Sequence, residues 1–168
     1  MVVLDNLSTG NRDNLADLDL TFIEGSVAEL TDVKKAMVGC SKVLHLAALP
    51  SVSRSLKQPL DTHEACATGT VNVLQVASHN GARVIYAGSS SVYGNQSELH
   101  KHERLREDPR SPYAAAKLAG ELYCRTFAQV FGLNVVVTRF FNVFGPRQPA
   151  DSAYSGVIAS FCRNLILG

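Results

Sequence analysis

The chain alternates between short apolar runs and longer segments in which apolar residues recur at helical spacing. The short runs are rich in β-branched residues and apolar almost throughout, as expected for strands covered on both faces of a parallel sheet. They predict strands at residues 2–5, 20–24, 42–47, 83–87 and 135–139. The helical spacing predicts helices at residues 31–39, 61–80 and 113–132, and an amphipathic helix at 154–168. This alternation is typical of α/β proteins, in which crossover helices link parallel strands.

Glycine and proline mark the ends of these segments. Gly81 and Gly132 follow the two longest predicted helices and suit the left-handed position that ends a helix. Residues 94–112 are polar and contain Asp-Pro and Ser-Pro pairs, which are turn signals. We therefore predict a surface loop that leads into the helix of residues 113–132.

Composition narrows the class of protein. A chain of 168 residues with 46% hydrophobic and 18% charged residues fits one globular domain spanning residues 1–168. With 16 Lys and Arg against 15 Asp and Glu, the net charge of +1 argues against a nucleic-acid partner. No apolar run approaches the roughly 20 residues that span a bilayer, so we expect no membrane association and a cytoplasmic protein.

The side chains that most often bind metals do not form a motif. The four cysteines are widely spaced without a CxxC pair, which predicts reduced thiols. His100 and His102 lie in a charged loop and would need at least one further ligand nearby to hold a metal ion. We therefore predict no metal site.

The first predicted strand ends in Asp5. In dinucleotide-binding domains, an acidic residue at the end of the second strand accepts hydrogen bonds from the adenosine ribose. A GxGxxG turn lies about 20 residues before that acidic residue, which would place it before residue 1. None of the 12 glycines forms such a motif. We therefore expect a Rossmann-like, doubly wound parallel sheet with flanking helices that is incomplete at both ends, and a chain that is a fragment.

Tyr113 and Lys117 are four residues apart and share one face of a predicted helix. This spacing alone is weak, because an exposed tyrosine beside a solvated lysine is common. The context strengthens it, since Ser89 follows an apolar strand, where open α/β folds bind their ligands. We expect the Lys117 cation to lower the pKa of Tyr113 and make it a general base for an alcohol.

The ordered motifs SSSVYG, SPYAAAK and RFFNVFGP resemble the extended short-chain dehydrogenase/reductase family, and among its members the NAD-dependent nucleotide-sugar 4-epimerases. The segments ALPSVSRS and NVFGPRQ are most similar to the UDP-N-acetylglucosamine 4-epimerases that supply bacterial surface polysaccharides. The resemblance implies NAD as cofactor and inversion at C4 of a UDP-sugar, UDP-N-acetylglucosamine or UDP-N-acetylgalactosamine, through a 4-keto intermediate.

The resemblance also implies roles for individual residues. Ser89, Tyr113 and Lys117 are the implied catalytic set, with Ser89 preferred to Ser90 because it stands four residues before Tyr93. Related dehydratases have an Asp-Glu pair after the active hydroxyl, whereas Ser90 and Ser91 follow it here, which disfavours dehydration. The residues implied to contact NAD are Asp5, Asn6, Ser8, Thr9, Gly10, Ser26, Val27, Leu46, Ala47, Ala48, Leu49, Tyr113, Lys117 and Phe141. Those implied to contact the UDP-sugar are Ser51, Arg54, Ser89 and Asn142.

Two departures from the family pattern weaken the implied cofactor site. Ser26 stands where the family usually has an Asp facing the adenine, and Cys66 stands where it usually has an Asn near the nicotinamide; both are weaker or different hydrogen-bonding groups. Alternatives therefore stay open. They are a UDP-glucose or UDP-glucuronate epimerase, and a non-catalytic fragment or subunit partner. The resemblance further implies a homodimer through helices that include residues 113–132.

Overall fold

The computed structural model describes residues 1–148 and 157–167. Its strands are β1 (Val2–Asp5), β2 (Thr21–Glu24), β3 (Lys42–His45), β4 (Arg83–Ser89) and β5 (Val135–Phe140). Every predicted strand is confirmed, with bounds that differ by two residues or fewer. All pairings are parallel, and within the described residues they form two sheets, β1–β2 and β3–β4–β5. The α/β prediction is confirmed, although β1 and β3 are not hydrogen-bonded into one continuous sheet.

The helices flank these strands. They are α1 (Leu30–Ala36), α2 (Val52–Lys57), α3 (Pro59–His63), α4 (Gly69–Asn80), α5 (Pro112–Phe131) and α6 (Val157–Leu167). The helix predicted at residues 61–80 is confirmed as α3 and α4, and a π turn at Glu64–Thr68 joins the two with helical backbone at both junctions. Helix α2 is not among the predicted helices; Ser51 caps it by accepting a hydrogen bond from Arg54 N at 3.0 Å. Residues 154–156 and 168 of the last predicted helix lie outside the described residues.

The apolar core lies between the β3–β4–β5 sheet and the helices α4 and α5. Leu74 of α4, Val84 and Tyr86 of β4, and Cys124 of α5 are all fully buried. Val33 of α1 extends this cluster, whereas β1 and β2 contribute no buried side chain. The core therefore supports β4 and α5 most directly.

The turn that follows β2 is fixed to α4. The Asn72 amide donates to Val27 O at 3.0 Å and to Ala28 O at 2.8 Å. A Cβ added to Gly69 would lie 2.5 Å from Val27 Cγ2, so α4 approaches this turn closely. These contacts hold the β1–β2 pair beside the rest of the fold.

Three further observations concern disulfide formation, metal binding and membrane insertion. All four cysteines are free thiols. Within residues 1–148 and 157–167, no three His, Cys, Asp or Glu side chains are grouped so that they could hold a metal ion. Over the same residues, no helix combines the length and apolar character that a bilayer crossing requires.

Candidate active site

Ser89 lies at the carboxyl end of β4, and Tyr113 lies in the first turn of α5. Gly88 lets β5 approach just before Ser89, because a Cβ at Gly88 would clash with Thr138 O. The chain then leaves the sheet through a 3-10 turn at Ser90–Tyr93. Ser111 caps α5 by accepting a hydrogen bond from Ala114 N at 3.1 Å, and Pro112 occupies the first helical position. Tyr113 is thereby set in the rigid first turn of a twenty-residue helix.

The Ser89 hydroxyl is held by its own turn. Its oxygen accepts hydrogen bonds from Ser91 N at 3.2 Å and from Ser91 Oγ at 2.8 Å. The Ser89 proton therefore remains available to donate. The Ser89 side chain also hydrogen-bonds the Tyr113 phenol and so lowers its pKa. Sequence reasoning missed Ser91 as a supporting residue, although a serine two residues after another in a turn commonly bonds back to it.

Lys117 lies one helical turn after Tyr113 and is buried, with 3% of its surface exposed. Its Nζ donates to Ala87 O at 2.8 Å and lies 5.0 Å from the centre of the Tyr86 ring. Burial lowers the pKa of Lys117, and the nearby Cys66 acts in the opposite direction. The ammonium group is thus held below the end of β4 by a backbone carbonyl.

The expected effect of Lys117 on Tyr113 is not found. The pKa of Tyr113 is raised, chiefly by burial, while its hydrogen bond with Ser89 lowers it and Cys66 raises it. The prediction that Lys117 lowers the pKa of Tyr113 is therefore wrong for the free protein, because desolvation dominates and the ammonium is turned to Ala87 O.

A series of buried hydrogen bonds supports the π turn beneath these residues. His45 Nε2 lies 2.9 Å from Thr70 Oγ1, and Thr70 Oγ1 donates to Cys66 O at 2.6 Å. Since the single Thr70 proton goes to Cys66 O, His45 must donate from Nε2. Burial, followed by the charge of Lys117, lowers the pKa of His45 to about 3, so this ring is neutral at neutral pH.

On the other side, Asp5 ends β1 beside a tight exposed loop. Asp5 Oδ1 accepts a hydrogen bond from Leu7 N at 2.7 Å, and Asn6 Oδ1 accepts one from Ser8 N at 3.1 Å. A Cβ at Gly10 would lie 3.4 Å from Asp5 Oδ1, so the chain folds back over the carboxylate. The hydrogen bond from Leu7 N goes to Oδ1, which leaves Oδ2 as an acceptor for a ligand hydroxyl. Asn6, Ser8, Thr9 and Gly10 are all exposed.

The remaining cofactor-side residues follow β2 and β3. Ser26 Oγ accepts a hydrogen bond from Ala28 N at 3.1 Å, which leaves its proton to donate, and Ser26 N donates to Asp32 Oδ2 at 3.1 Å. After β3, Leu46 is 64% exposed, as expected for a residue that would contact a ligand. Half-buried residues adjoin these two positions: Val27, Ala47, Ala48 and Leu49.

The residues implied to contact the sugar are less organised. Phe141, implied to contact NAD, is exposed and stacks on Tyr93, with ring centres 6.3 Å apart. Asn142 beside it, implied to contact the sugar, is also exposed. Ser51 is buried, and its hydroxyl oxygen caps α2 rather than facing solvent. Arg54 is half-buried in α2. Of the residues implied to contact the sugar, Ser89 thus adjoins Tyr113, whereas the Ser51 hydroxyl is committed to the cap of α2.

The whole chain, residues 1–168, matches the model of the NAD dependent epimerase/dehydratase family. The chain belongs to this family. It is 33% identical over 168 residues to UDP-glucuronate 4-epimerase 1 of Arabidopsis thaliana, a match that covers 97% of this chain and 38% of that protein.

Solved structures of family members agree with this fold. The UDP-N-acetylglucosamine 4-epimerase of Methanobrevibacter ruminantium, in complex with UDP-N-acetylmuramic acid, superimposes with a TM-score of 0.94 at 36% identity, over 99% of this chain and 55% of that one. The UDP-glucose 4-epimerase of Thermus thermophilus, in complex with NAD, gives a TM-score of 0.89 at 32% identity, with the same coverage, 99% and 55%. The chain thus spans about half the length, or less, of the relatives it matches.

The residues of this epimerase/dehydratase chain fit the two ends of a dinucleotide. A carboxylate such as that of Asp5 accepts hydrogen bonds from ribose hydroxyls, and an ammonium such as that of Lys117 donates to them. Both lie at or beneath the carboxyl ends of parallel strands, where open α/β folds bind ligands. The sequence contains no GxGxxG turn for the pyrophosphate, so only the adenosine and nicotinamide ends are accounted for.

Proposed function

We propose that this chain is the nucleotide-binding part of an NAD-dependent 4-epimerase that interconverts UDP-N-acetylglucosamine and UDP-N-acetylgalactosamine. The observation that carries the proposal is the placement of Ser89 at the end of β4 and of Tyr113 in the first turn of α5, where the Ser89 side chain lowers the pKa of the Tyr113 phenol. The similarity to the epimerase from Methanobrevibacter ruminantium supports the choice of substrate. The similarity to a UDP-glucuronate 4-epimerase supports the reaction at C4.

Each residue of the site has a chemical task. NAD, when bound, supplies a hydride acceptor and donor and a positively charged ring. Tyr113 takes the proton of the C4 hydroxyl as the sugar is oxidised to the 4-keto form, and returns it when the opposite face is reduced. Ser89 donates its proton to the reacting oxygen. Lys117, with N–H groups beyond the one bound to Ala87 O, holds the ribose hydroxyls of the cofactor.

The raised pKa of Tyr113 fits a base that works only in the ternary complex. In the free protein, burial keeps the phenol protonated. A positive charge brought close to it lowers its pKa, because it favours the phenolate. Tyr113 is therefore expected to ionise only once the cofactor is in place, so that the phenol keeps its proton in the free protein.

Water elimination is disfavoured by the turn after Ser89. Dehydration of a sugar requires an acid to protonate the leaving hydroxyl. Positions 90 and 91 hold serines, and the Ser91 hydroxyl is committed to Ser89. The turn therefore suits transfer of a proton at one carbon, as in epimerisation.

Turnover by the parent chain and Tyr113→Phe tests the proposal. Each protein is incubated with NAD and UDP-N-acetylglucosamine, and the anomeric proton of the product is followed by NMR. We expect Tyr113→Phe to slow the reaction by about 10²–10⁴-fold, the usual contribution of a general base. Tyr123→Phe, on an exposed part of α5, is the control and should match the parent.

Other results of the turnover assay would favour the alternative substrates or a non-catalytic role. Faster turnover of UDP-glucose or UDP-glucuronate would keep the reaction and correct the substrate. No turnover together with no calorimetric binding of NAD would favour the non-catalytic fragment or subunit partner.

We also propose a homodimer through α5. Apolar side chains along this helix are exposed, including Leu122 at 49%, Val130 at 65% and Phe131 at 60%. A second copy would cover them, since contiguous exposed apolar surface favours association. Sedimentation velocity should give a dimer for the parent and a monomer for Val130→Glu.

A further inference from the structure

We propose that Glu107 and Arg139 form a positioning pair that holds Tyr113 against Ser89. This inference rests on the roles proposed above for Ser89 and Tyr113. It concerns a buried ionic cluster that lies beyond the catalytic set and joins three parts of the chain: β5, α5 and the loop between β4 and α5.

Arg139 is the centre of the cluster. Its side chain is 7% exposed, and its Nη2 donates to Glu107 Oε1 and to Glu121 Oε1, each at 2.6 Å. Its Nε donates to Glu121 Oε2 at 2.9 Å. Arg125 adds a second guanidinium, which contacts both carboxylates. Two cations and two anions thus neutralise one another, with Arg139 and Glu121 buried and Arg125 and Glu107 at the more exposed edge.

The same guanidinium packs on the turn that follows Ser89. The Arg139 Cζ lies 4.7 Å from the centre of the Tyr93 ring, and Tyr93 ends that turn. Next to it, Asp108 N donates to Val92 O at 2.9 Å. A Cβ at Gly94 would clash with Asp108 O, so the beginning and the end of the loop between β4 and α5 are in close contact.

These contacts fix both chain segments that carry the site. The turn at residues 90–93 directly follows Ser89, and residues 107–111 directly precede Pro112 and Tyr113. Arg139 contacts the first segment through Tyr93 and the second through Glu107. The Glu107–Arg139 pair therefore fixes the turn that follows Ser89 relative to the segment that leads into Tyr113.

The pKa of Tyr113 measures that contact without requiring turnover. Because the hydrogen bond with Ser89 lowers the pKa of Tyr113, loss of the contact must raise it. Charge alone would act the other way in Glu107→Gln, since removing a negative charge lowers the pKa of a phenol. Arg139→Lys keeps the positive charge but removes the planar guanidinium that binds two carboxylates at once.

The experiment uses the full chain labelled with 3-fluorotyrosine, whose greater acidity brings the titration below alkaline unfolding. Fluorine NMR follows each phenol with pH, and Tyr113→Phe assigns the Tyr113 signal. We expect Ser89→Ala, Glu107→Gln and Arg139→Lys each to shift the pKa of Tyr113 upward. Adding Ser89→Ala to Glu107→Gln should give no further rise. Arg110→Gln, which removes an exposed ion pair with Asp108, should match the parent.

Each remaining outcome overturns the inference. If Ser89→Ala raises the pKa and neither Glu107→Gln nor Arg139→Lys does, the pair does not position Tyr113, while the proposed function stands. Additive rises would show that the pair acts by another route. If Ser89→Ala itself has no effect, the Ser89–Tyr113 contact is absent, and the proposed function loses its main support as well. Near-UV circular dichroism verifies that each variant is folded.

Discussion

The β3–β4–β5 part of the molecule and the β1–β2 part differ in how their site residues are held. Lys117 is 3% exposed and Tyr86 beneath it is fully buried, whereas no residue of β1 or β2 is buried. The Ser89 hydroxyl is held by Ser91, while Asp5 bonds within its own exposed loop. The groups proposed to perform the chemistry are thus placed by the core, and those proposed to bind adenosine lie on the surface. Pre-organisation is strongest where proton transfer requires accurate distances.

The largest expected difference between the two parts involves their arginines. Arg139→Met would leave the buried Glu121 without its main partner, and breaking such a pair costs about 3 kcal/mol. Arg12→Met in the β1–β2 part loses only an exposed contact with the Phe22 ring at 4.8 Å, worth about 0.5 kcal/mol. Urea unfolding of both variants measures the difference. Equal losses would show that burial does not distinguish the two parts.

The next largest difference in stability is expected between two glycine-to-alanine substitutions, one in each part of the molecule. Gly88→Ala would press a methyl group against Thr138 O between β4 and β5, which we expect to cost about 2 kcal/mol. Gly10→Ala adds a methyl group at ordinary contact distance from Asp5 and should leave the unfolding free energy nearly unchanged. Thermal unfolding of the two variants compares them. A more destabilising Gly10→Ala would contradict the comparison.

His45 should make the core part sensitive to pH. Its pKa of about 3 in the folded chain lies below the ordinary value of 6.5, so the unfolded chain binds the proton first as pH falls. Stability is therefore complete above about pH 6.5 and declines towards pH 3, by at most about 1.4 kcal/mol per pH unit. His45→Gln, which keeps a donor for Thr70, should show a shallower decline between pH 7 and pH 5 in urea unfolding. His100→Gln, at an exposed position, should decline like the parent, and a parent-like His45→Gln would refute this assignment.

Much of the fold could be predicted because the signals are local. The strands are apolar runs bounded by turns, and Gly81 and Gly132 have the left-handed backbone, with φ of 65° at each, that their position after a helix predicts. The placement of Ser89 near Tyr113 was also predictable, since both sit at the carboxyl end of a parallel strand or on the helix that follows it.

The rest depends on contacts between distant residues. The π turn at Glu64–Thr68 is stabilised by Thr70 and by His45 of another element, so helical spacing predicted the helix of residues 61–80 but not the π turn within it. The pKa of Tyr113 is raised by burial, which no spacing reports. The cluster around Arg139 joins residues 32 positions apart in sequence, from Glu107 to Arg139. Sequence patterns show which residues could react, whereas packing decides their protonation and alignment.

Amide hydrogen exchange with and without NAD tests the contrast between the two parts most directly. We predict slow exchange in β4 and the first turns of α5 in the free chain, because these elements are buried and hydrogen-bonded. The amides of β1 and of the loop from Asp5 to Gly10 should exchange quickly and become protected when NAD is added. Equal protection of β1 and β4 in the free chain, or an Asp5 loop that NAD leaves unchanged, would contradict the account.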